Sequence, residues 1–185
     1  VTFPDNHDMS RIFTQLNEDY DLWKMAMVFT VTTRGIPQIY YGSEILMTNP
    51  GTTDHGIIRS DFPGGWENDQ INARTGAGLT NQQKEAQAFT KKLLNWRKEK
   101  SVIHNGKLLH FVPQDGTYVY FRYNDEEKVM IVLNKNSEST NLELGRFTEV
   151  LAGHQFGEDI LTGSRVALNK NINLAPKSVM IIELD

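Results

Sequence analysis

Near its N-terminus the chain reads Phe3-Pro4-Asp5-Asn6-His7-Asp8, in which an apolar start leads into four consecutive polar residues. We interpret this hexapeptide as the end of a buried strand followed by a polar cluster. In parallel α/β architectures the carboxyl ends of the strands point into the ligand site. A polar tetrapeptide before a helix is more often a cap or a turn, so taken alone the hexapeptide leaves both interpretations open.

The segments that follow have the order of a βαβ unit. Residues 20–33 are apolar on nearly every side, which predicts a helix buried against several neighbours. Gly35 and Pro37 then end the helix, and residues 36–42 form a short apolar and aromatic run that predicts a strand. Strand end, helix and strand in succession are typical of a parallel sheet.

The rest of the chain divides into a loop, a helix and a β-rich part. Residues 43–79 hold six of the 14 glycines and predict a long loop, which is often functional. Residues 81–99 predict an amphipathic helix, with Thr80 and Gln83 as a capping box. From Gly106 the apolar period becomes two, and strands are predicted at 118–123, 129–133, 140–144 and 178–184. We therefore expect two domains, residues 1–104 and residues 105–185, the second an antiparallel sandwich.

Composition excludes several classes of protein. The net charge of -4 and the pI near 5.7 give no basic surface for nucleic acid. No apolar run reaches the ~18 residues that a membrane span needs. The chain has no cysteine, which excludes disulfides and thiolate metal sites.

A second motif, Gly35-Ile36-Pro37-Gln38-Ile39-Tyr40-Tyr41-Gly42-Ser43-Glu44, begins 27 residues after Asp8. Together with FxxNHD and the intervening helix it resembles the α-amylase family of glycoside hydrolases (family 13). The two motifs are similar to those at the seventh and eighth strands of that family's barrel. The stretch from Arg59 to Trp66, RSDFPGGW, is similar to the neopullulanase and cyclomaltodextrinase branch. The resemblance implies the last part of a (β/α)8 TIM barrel followed by an antiparallel β-sandwich.

The resemblance also implies roles for individual residues. Asp8 matches the family's third catalytic carboxylate, which stabilises the oxocarbenium-like transition state. His7 matches the neighbouring histidine that binds hydroxyls of the same sugar. Asp54 and Arg59 match the acid and the arginine that bind the adjacent sugar, although their spacing is one residue longer than usual. Trp66 has two open interpretations, a stacking surface for a sugar and an anchor that packs its loop.

The resemblance implies a retaining hydrolase of α-1,4-glucans, with transglycosylation by the same intermediate left open. Such enzymes need a nucleophile and a general acid about 5 Å apart, and neither motif is found in this chain. We expect both carboxylates upstream of Val1 and expect the isolated chain to be inactive. We expect no cofactor and no metal ligand in this chain, and the resemblance leaves calcium binding open for the full-length enzyme. His55, His104, His110 and His154 are interpreted as surface or packing residues.

Two further expectations concern partners. A non-catalytic relative that binds glucans or associates with a transporter is the alternative, and the presence of His7 and Asp8 argues against it. Apolar residues of the buried helix at 20–33, Trp23, Met25, Met27 and Phe29, are expected to be exposed in the isolated chain, and either self-association or rearrangement of this part of the chain would cover them. The sequence leaves the compartment unknown, with a periplasmic or secreted location in keeping with a polymer-degrading enzyme.

Overall fold

Two helices give the first part of the chain its framework. A computed structural model describes residues 1–185, and its first compact unit comprises Val1–Val31 and Gly35–Lys98. The unit contains α1 (Ile12–Gln15), α2 (Tyr20–Thr32, whose last residue is assigned to the second unit), a 3-10 turn at Ser43–Ile45, α3 (His55–Ile58) and α4 (Asn81–Lys98). None of the helices in the chain combines the length and the apolar character that a membrane crossing requires.

Local sequence signals set where the long helices begin. The side chain of Asp19 accepts hydrogen bonds from the backbone N–H groups of Asp21 and Leu22, which caps α2. At α4 the predicted capping box forms in both directions. Gln83 N donates to Thr80 Oγ1 over 3.2 Å, and Thr80 N donates to Gln83 Oε1 over 3.0 Å.

The prediction that four apolar residues of α2 are exposed is wrong for two of them. Trp23 and Met27 are fully buried, whereas Met25 is half-buried and Phe29 is 42% exposed. The Trp23 ring stacks on Tyr20 and packs against Phe89 of α4, and its Nε1 donates to the carbonyl of Ser43. The helix therefore closes against elements of its own unit.

The expected strand at residues 36–42 is reduced to one parallel bridge. Thr2 N donates to Ile36 O over 2.9 Å, and Gln38 N donates to Thr2 O over 2.8 Å. The next donor of a parallel ladder on the first strand would be the backbone N of residue 4, and Pro4 has no N–H there, so the bridge does not extend into a regular ladder. The parallel direction expected of a βαβ unit is nevertheless present.

The second compact unit comprises Thr32–Arg34 and Glu99–Asp185. It contains α5 (Ser101–Asn105), β1 (Lys107–His110), β2 (Thr117–Tyr123), β3 (Lys128–Asn134), β4 (Thr140–Glu143), a 3-10 turn (Leu144–Phe147), α6 (Thr148–Leu151), β5 (Phe156–Asp159), β6 (Ser164–Ala167), β7 (Asn171–Leu174) and β8 (Ser178–Leu184). A six-stranded sheet has the order β1-β2-β3-β8-β5-β6, and β4 pairs with β7 in a second sheet. All these pairs are antiparallel.

Side chains from both sheets form one hydrophobic core. Phe121, Met130 and Ile182 of the larger sheet and Leu142 and Leu174 of the smaller sheet belong to it. Alternating burial along β4 and β7 points every second residue into this core. The predicted antiparallel sandwich is therefore confirmed.

A buried arginine fixes the other face of the larger sheet. Arg122 of β2 is 1% exposed, and its guanidinium donates to the carbonyls of Thr32, Thr33, Ile103, Gly106 and Lys107. Five carbonyl acceptors satisfy the planar donor fork of arginine. Two of these bonds join Thr32 and Thr33 to the rest of the unit.

Candidate functional site

The polar tetrapeptide at residues 5–8 divides into a buried half and an exposed half. Asp5 is fully buried, and its carboxylate accepts from Ile12 N and Ser43 Oγ, both over 2.9 Å. Asn6 Oδ1 accepts from Asp8 N over 2.8 Å and turns the chain. The side chains of His7 and Asp8 are about 60% exposed, at 62% and 60%. The first acid anchors the turn, and the second is presented to solvent.

Arg59 joins the exposed half to the loop that follows. Its Nη2 donates to Asp8 Oδ1 over 2.9 Å, and its Nε donates to the carbonyl of His7 over 3.0 Å. The other carboxylate oxygen, Asp8 Oδ2, lies 3.2 Å from His7 Nε2. Both oxygens of Asp8 thus have a nitrogen partner, while most of the side chain remains open to a ligand.

His55 completes the cluster, which we define as His7, Asp8, His55 and Arg59. His55 Nδ1 lies 2.6 Å from Arg59 Nη2 and 3.9 Å from Asp8 Oδ1. The interpretation of His55 as a surface or packing residue missed this contact. The signal that could have revealed it is the four-residue spacing from Arg59, which places both side chains on one face of a helical turn.

Asp54 has a different place from the one expected. Its Oδ1 accepts from Gly56 N over 2.7 Å, so Asp54 is the N-cap of α3. This cap fixes the short turn that carries His55 and ends at Arg59. The structure does not bring the Asp54 carboxylate into the cluster, and sugar binding by Asp54 stays a prediction.

The backbone around Arg59 is held from both sides. The buried Arg11 donates from Nε to the carbonyl of Ile58 over 2.9 Å and from Nη1 to the carbonyl of Tyr41. Its guanidinium also lies over the rings of Tyr40 and Tyr41, with centroid distances of 4.2 and 4.8 Å. The Tyr41 hydroxyl donates to Ser60 O over 2.9 Å. Ser60 is therefore hydrogen-bonded to Tyr41 directly, and Ile58 is connected to Tyr41 through Arg11.

Burial changes the acidity of the supporting groups. Burial raises the pKa of the Asp5 carboxyl, and the hydrogen bonds from Ile12 and Ser43 oppose that rise. Burial likewise raises the pKa of Tyr40. Sequence reasoning did not identify Asp5 or Arg11 as supports, because both act through partners at least seven residues away in the chain.

A metal site is not supported by the donor groups of this chain. Nowhere in residues 1–185 do three or more His, Cys, Asp or Glu side chains gather in a way that could hold a metal ion. The expectation that this chain holds no metal ligand stays a prediction.

Comparison with known proteins gives two family matches that together cover most of the chain. Residues 1–101 match the α-amylase catalytic domain, and residues 108–183 match the cyclomaltodextrinase C-terminal domain.

Curated relatives match along most of this chain but only part of their own. A cyclomaltodextrin glucanotransferase of Niallia circulans is 31% identical over 185 residues, which is 95% of this chain and 23% of the relative. A maltogenic α-amylase of Bacillus acidopullulyticus is 33% identical over 143 residues, 75% of this chain and 22% of the relative. An α-amylase of Niallia circulans is 30% identical over 91% of this chain and 30% of its own length. The chain thus spans about a quarter of the first two relatives (23% and 22%).

Solved structures share the fold. An α-amylase of Geobacillus thermoleovorans, complexed with acarbose, has a TM-score of 0.76 at 24% identity, covering 99% of this chain and 38% of that one. AmyP in complex with maltose has a TM-score of 0.77 at 19% identity, covering 98% and 40%. At these identities the likeness concerns the fold.

Proposed function

This chain belongs to the α-amylase family of glycoside hydrolases, and from that membership we propose that it contributes one catalytic carboxylate to a retaining enzyme acting on α-1,4-glucans. The names of its relatives include both hydrolases and a glucanotransferase. Hydrolysis and transglycosylation share the same covalent intermediate and differ only in the acceptor. We propose hydrolysis of starch-type oligosaccharides as the main reaction.

One observation carries the proposal: Arg59 binds the Asp8 carboxylate and the His7 carbonyl at the same time. The Asp8 side chain is 60% exposed, so water already solvates its charge and the contact with Arg59 is not needed for that purpose. The contact is worth little as a surface ion pair, but it fixes the direction of the carboxylate. A fixed carboxylate stabilises positive charge that develops on a sugar ring without reorganising during the reaction.

We assign a distinct role to each of the four residues that the family resemblance marks as site residues, namely His7, Asp8, Asp54 and Arg59. Asp8 accepts hydroxyl hydrogens of the sugar at the cleavage position and strengthens that hold as the ring flattens. His7 binds a hydroxyl of the same sugar, since its ring lies beside Asp8 Oδ2. Arg59 positions Asp8 and binds the adjacent sugar. Asp54 contributes to that adjacent position and caps the turn that carries Arg59.

The nucleophile and the general acid are not assigned to any residue of this chain. A retaining reaction needs both, with their carboxyl groups about 5 Å apart. We propose that these groups come from the preceding part of the enzyme and that the isolated 185-residue chain releases no reducing sugar from maltooligosaccharides. Release above the buffer level by the purified chain would contradict this.

The test of Asp8 uses the enzyme that carries this chain at its full natural length. Asp8→Asn keeps the size of the side chain and removes its charge. We expect kcat on maltohexaose to fall by about a hundredfold or more, with binding of maltohexaose retained. Wild-type turnover by Asp8→Asn would refute the catalytic role. A wild-type enzyme that binds maltohexaose and never cleaves it would support the alternative, a non-catalytic glucan-binding or transporter-associated protein.

Self-association is proposed through the apolar side chains of the first unit that remain exposed. Phe29 and Ile36 are 42% and 71% exposed, whereas Trp23 and Met27 are buried and cannot contribute. Light scattering of the isolated chain tests the proposal, and a monomer at every concentration would refute it.

A further inference from the structure

Trp66 is exposed although it is firmly held. Its surface is 67% exposed, which contradicts the role of a packing anchor in its loop. An indole presents a large apolar area, and leaving it in water forgoes stabilisation from the hydrophobic effect. An exposed indole that is nonetheless fixed in place is the kind of group that serves a ligand.

Two acids hold the tryptophan from opposite ends. Its indole Nε1 donates to Asp61 Oδ2 over 2.9 Å. Its backbone N donates to Asp69 Oδ2 over 3.1 Å, and Gly64 N donates to the same oxygen over 2.7 Å. These backbone hydrogen bonds, with that of Trp66 the largest cause, lower the pKa of Asp69. The ring edge and the backbone are therefore both fixed, and the ring faces are not used by these bonds.

The loop beneath Trp66 is well supported. Gly64 has a φ of 97°, and a Cβ there would come within 2.9 Å of the Asn72 Cα. Ala73 N donates to Pro63 O over 3.0 Å, and Ala73 is buried in a small cluster with Ile45, against which Phe62 packs. Close backbone approach and a dry cluster keep the loop in one conformation.

A surface groove of about 260 Å³ adjoins the loop. Its lining consists of Asp61, Phe62, Pro63, Asp69, Gln70 and Ile71. The two acids that hold Trp66 thus also line the groove and offer acceptors to hydroxyl groups. Only Ser60 separates Asp61 from Arg59 in the sequence.

We propose that Trp66 is a stacking platform for a pyranose ring of an α-glucan, with hydroxyls of the sugar reaching the groove lined by Asp61 and Asp69. The apolar face of a pyranose matches the face of an indole, and its rim of hydroxyls matches carboxylate and amide groups. None of the residues that hold Trp66 or line the groove belongs to the cluster of His7, Asp8, His55 and Arg59, so we assign this site a sugar other than the one at Asp8. The inference rests on the proposed function, because that function makes an α-glucan the ligand.

The test measures binding without cleavage. In the full-length enzyme carrying Asp8→Asn, Trp66→Ala, Trp66→Phe and the control Ile36→Ala are compared by calorimetric titration with maltohexaose. Ile36 is a 71% exposed apolar residue of the same unit and lies outside the loop. We expect Trp66→Ala to weaken maltohexaose binding about tenfold, Trp66→Phe to weaken it less, and Ile36→Ala to leave it unchanged.

A second measurement reports the contact itself. The indole N–H resonance of Trp66, assigned by its loss in Trp66→Phe, should shift on addition of maltohexaose. Unchanged affinity in Trp66→Ala, an unshifted resonance, or an equal loss in Ile36→Ala would each overturn the platform. None of these outcomes bears on turnover, which Asp8→Asn tests separately, so a failure of the platform can be distinguished from a failure of the proposed function.

Discussion

Arg59 follows Asp8 by 51 residues in the chain, and its Nη2 donates a hydrogen bond to Asp8 Oδ1 over 2.9 Å. The contact joins the first motif of the family resemblance, which contains Asp8, to the first residue of the RSDFPGGW stretch, which resembles the neopullulanase and cyclomaltodextrinase branch. Because both side chains are partly exposed, at 44% and 60%, its main effect is on direction rather than stability.

Replacement of Arg59 by lysine tests that effect. Lysine keeps the charge but cannot donate from two nitrogens in a fixed plane. We expect kcat of the full-length enzyme on maltohexaose to fall by about ten- to a hundredfold, because a small misplacement of a reacting group has effects of that size. Arg74→Lys, at an exposed residue of the same unit, should match the wild type. Steady-state kinetics check both, and unchanged kcat in Arg59→Lys would contradict a positioning role.

Removal of the Asp5 carboxylate should affect stability. Asp5→Ala leaves the buried Ile12 N–H and the Ser43 hydroxyl without their acceptor. We expect a loss of about 2–4 kcal/mol in the free energy of unfolding. Urea titration measures it, with Glu67→Ala as the exposed control. A loss equal to that of the control would show that Asp5 is dispensable for the fold.

Arg122→Met should destabilise the second unit. The change strips the hydrogen-bond donor from five carbonyls while it keeps most of the side-chain volume. We expect a loss of about 3 kcal/mol or more. The exposed Arg34→Met in the same unit should stay within about 0.5 kcal/mol of the wild type. Equal unfolding midpoints for the two variants in urea would contradict this interpretation.

The stability that the loop around Trp66 contributes should depend on pH, because Asp69 accepts hydrogen bonds from the loop backbone. The folded pKa of Asp69 is lowered from 3.8 by the backbone hydrogen bonds of Trp66 and Gly64. A lowered folded pKa gives stability that is present above the unfolded pKa and is lost as pH falls through the folded value. We therefore expect the melting temperatures of wild type and Asp69→Asn to differ by a constant amount above pH about 5 and to converge below pH about 4. A difference that persists unchanged in acid would contradict the assignment.

Much of the fold followed from local signals. The bounds of α2 and α4 follow from an apolar pattern, a capping box and the glycine and proline after α2, all of which act within a few residues. The sequence predicts strands β2, β3 and β8 because each is a run of seven residues rich in β-branched, aromatic or other apolar side chains. The division at residues 104 and 105 stays a prediction, while contacts separate the units at Lys98 and Glu99.

The remainder depended on distant partners. Strands β5, β6 and β7 are only four residues long, which is too short for an apolar period to distinguish a strand from a loop, although β7 does alternate. Residues 36–42 have the composition of a strand but only the bridge of Pro37 to Thr2. At the site, motif resemblance placed His7, Asp8 and Arg59 near one another, and the spacing of His55 from Arg59 carried a signal that was missed, whereas the hydrogen-bond partners of the Arg11 side chain lie 30 or more residues away and left no local signal.

The reach of Arg122 to Thr32 and Thr33 has a consequence for modular engineering. A sandwich excised as residues 99–185 would leave behind two of the carbonyls that this guanidinium binds. It would also lose the hydroxyl of Thr32 that is hydrogen-bonded to the buried Tyr120. A graft of this module onto another barrel therefore needs to transplant residues 32–34, or their equivalents in the host, as a discontinuous part of the same cassette.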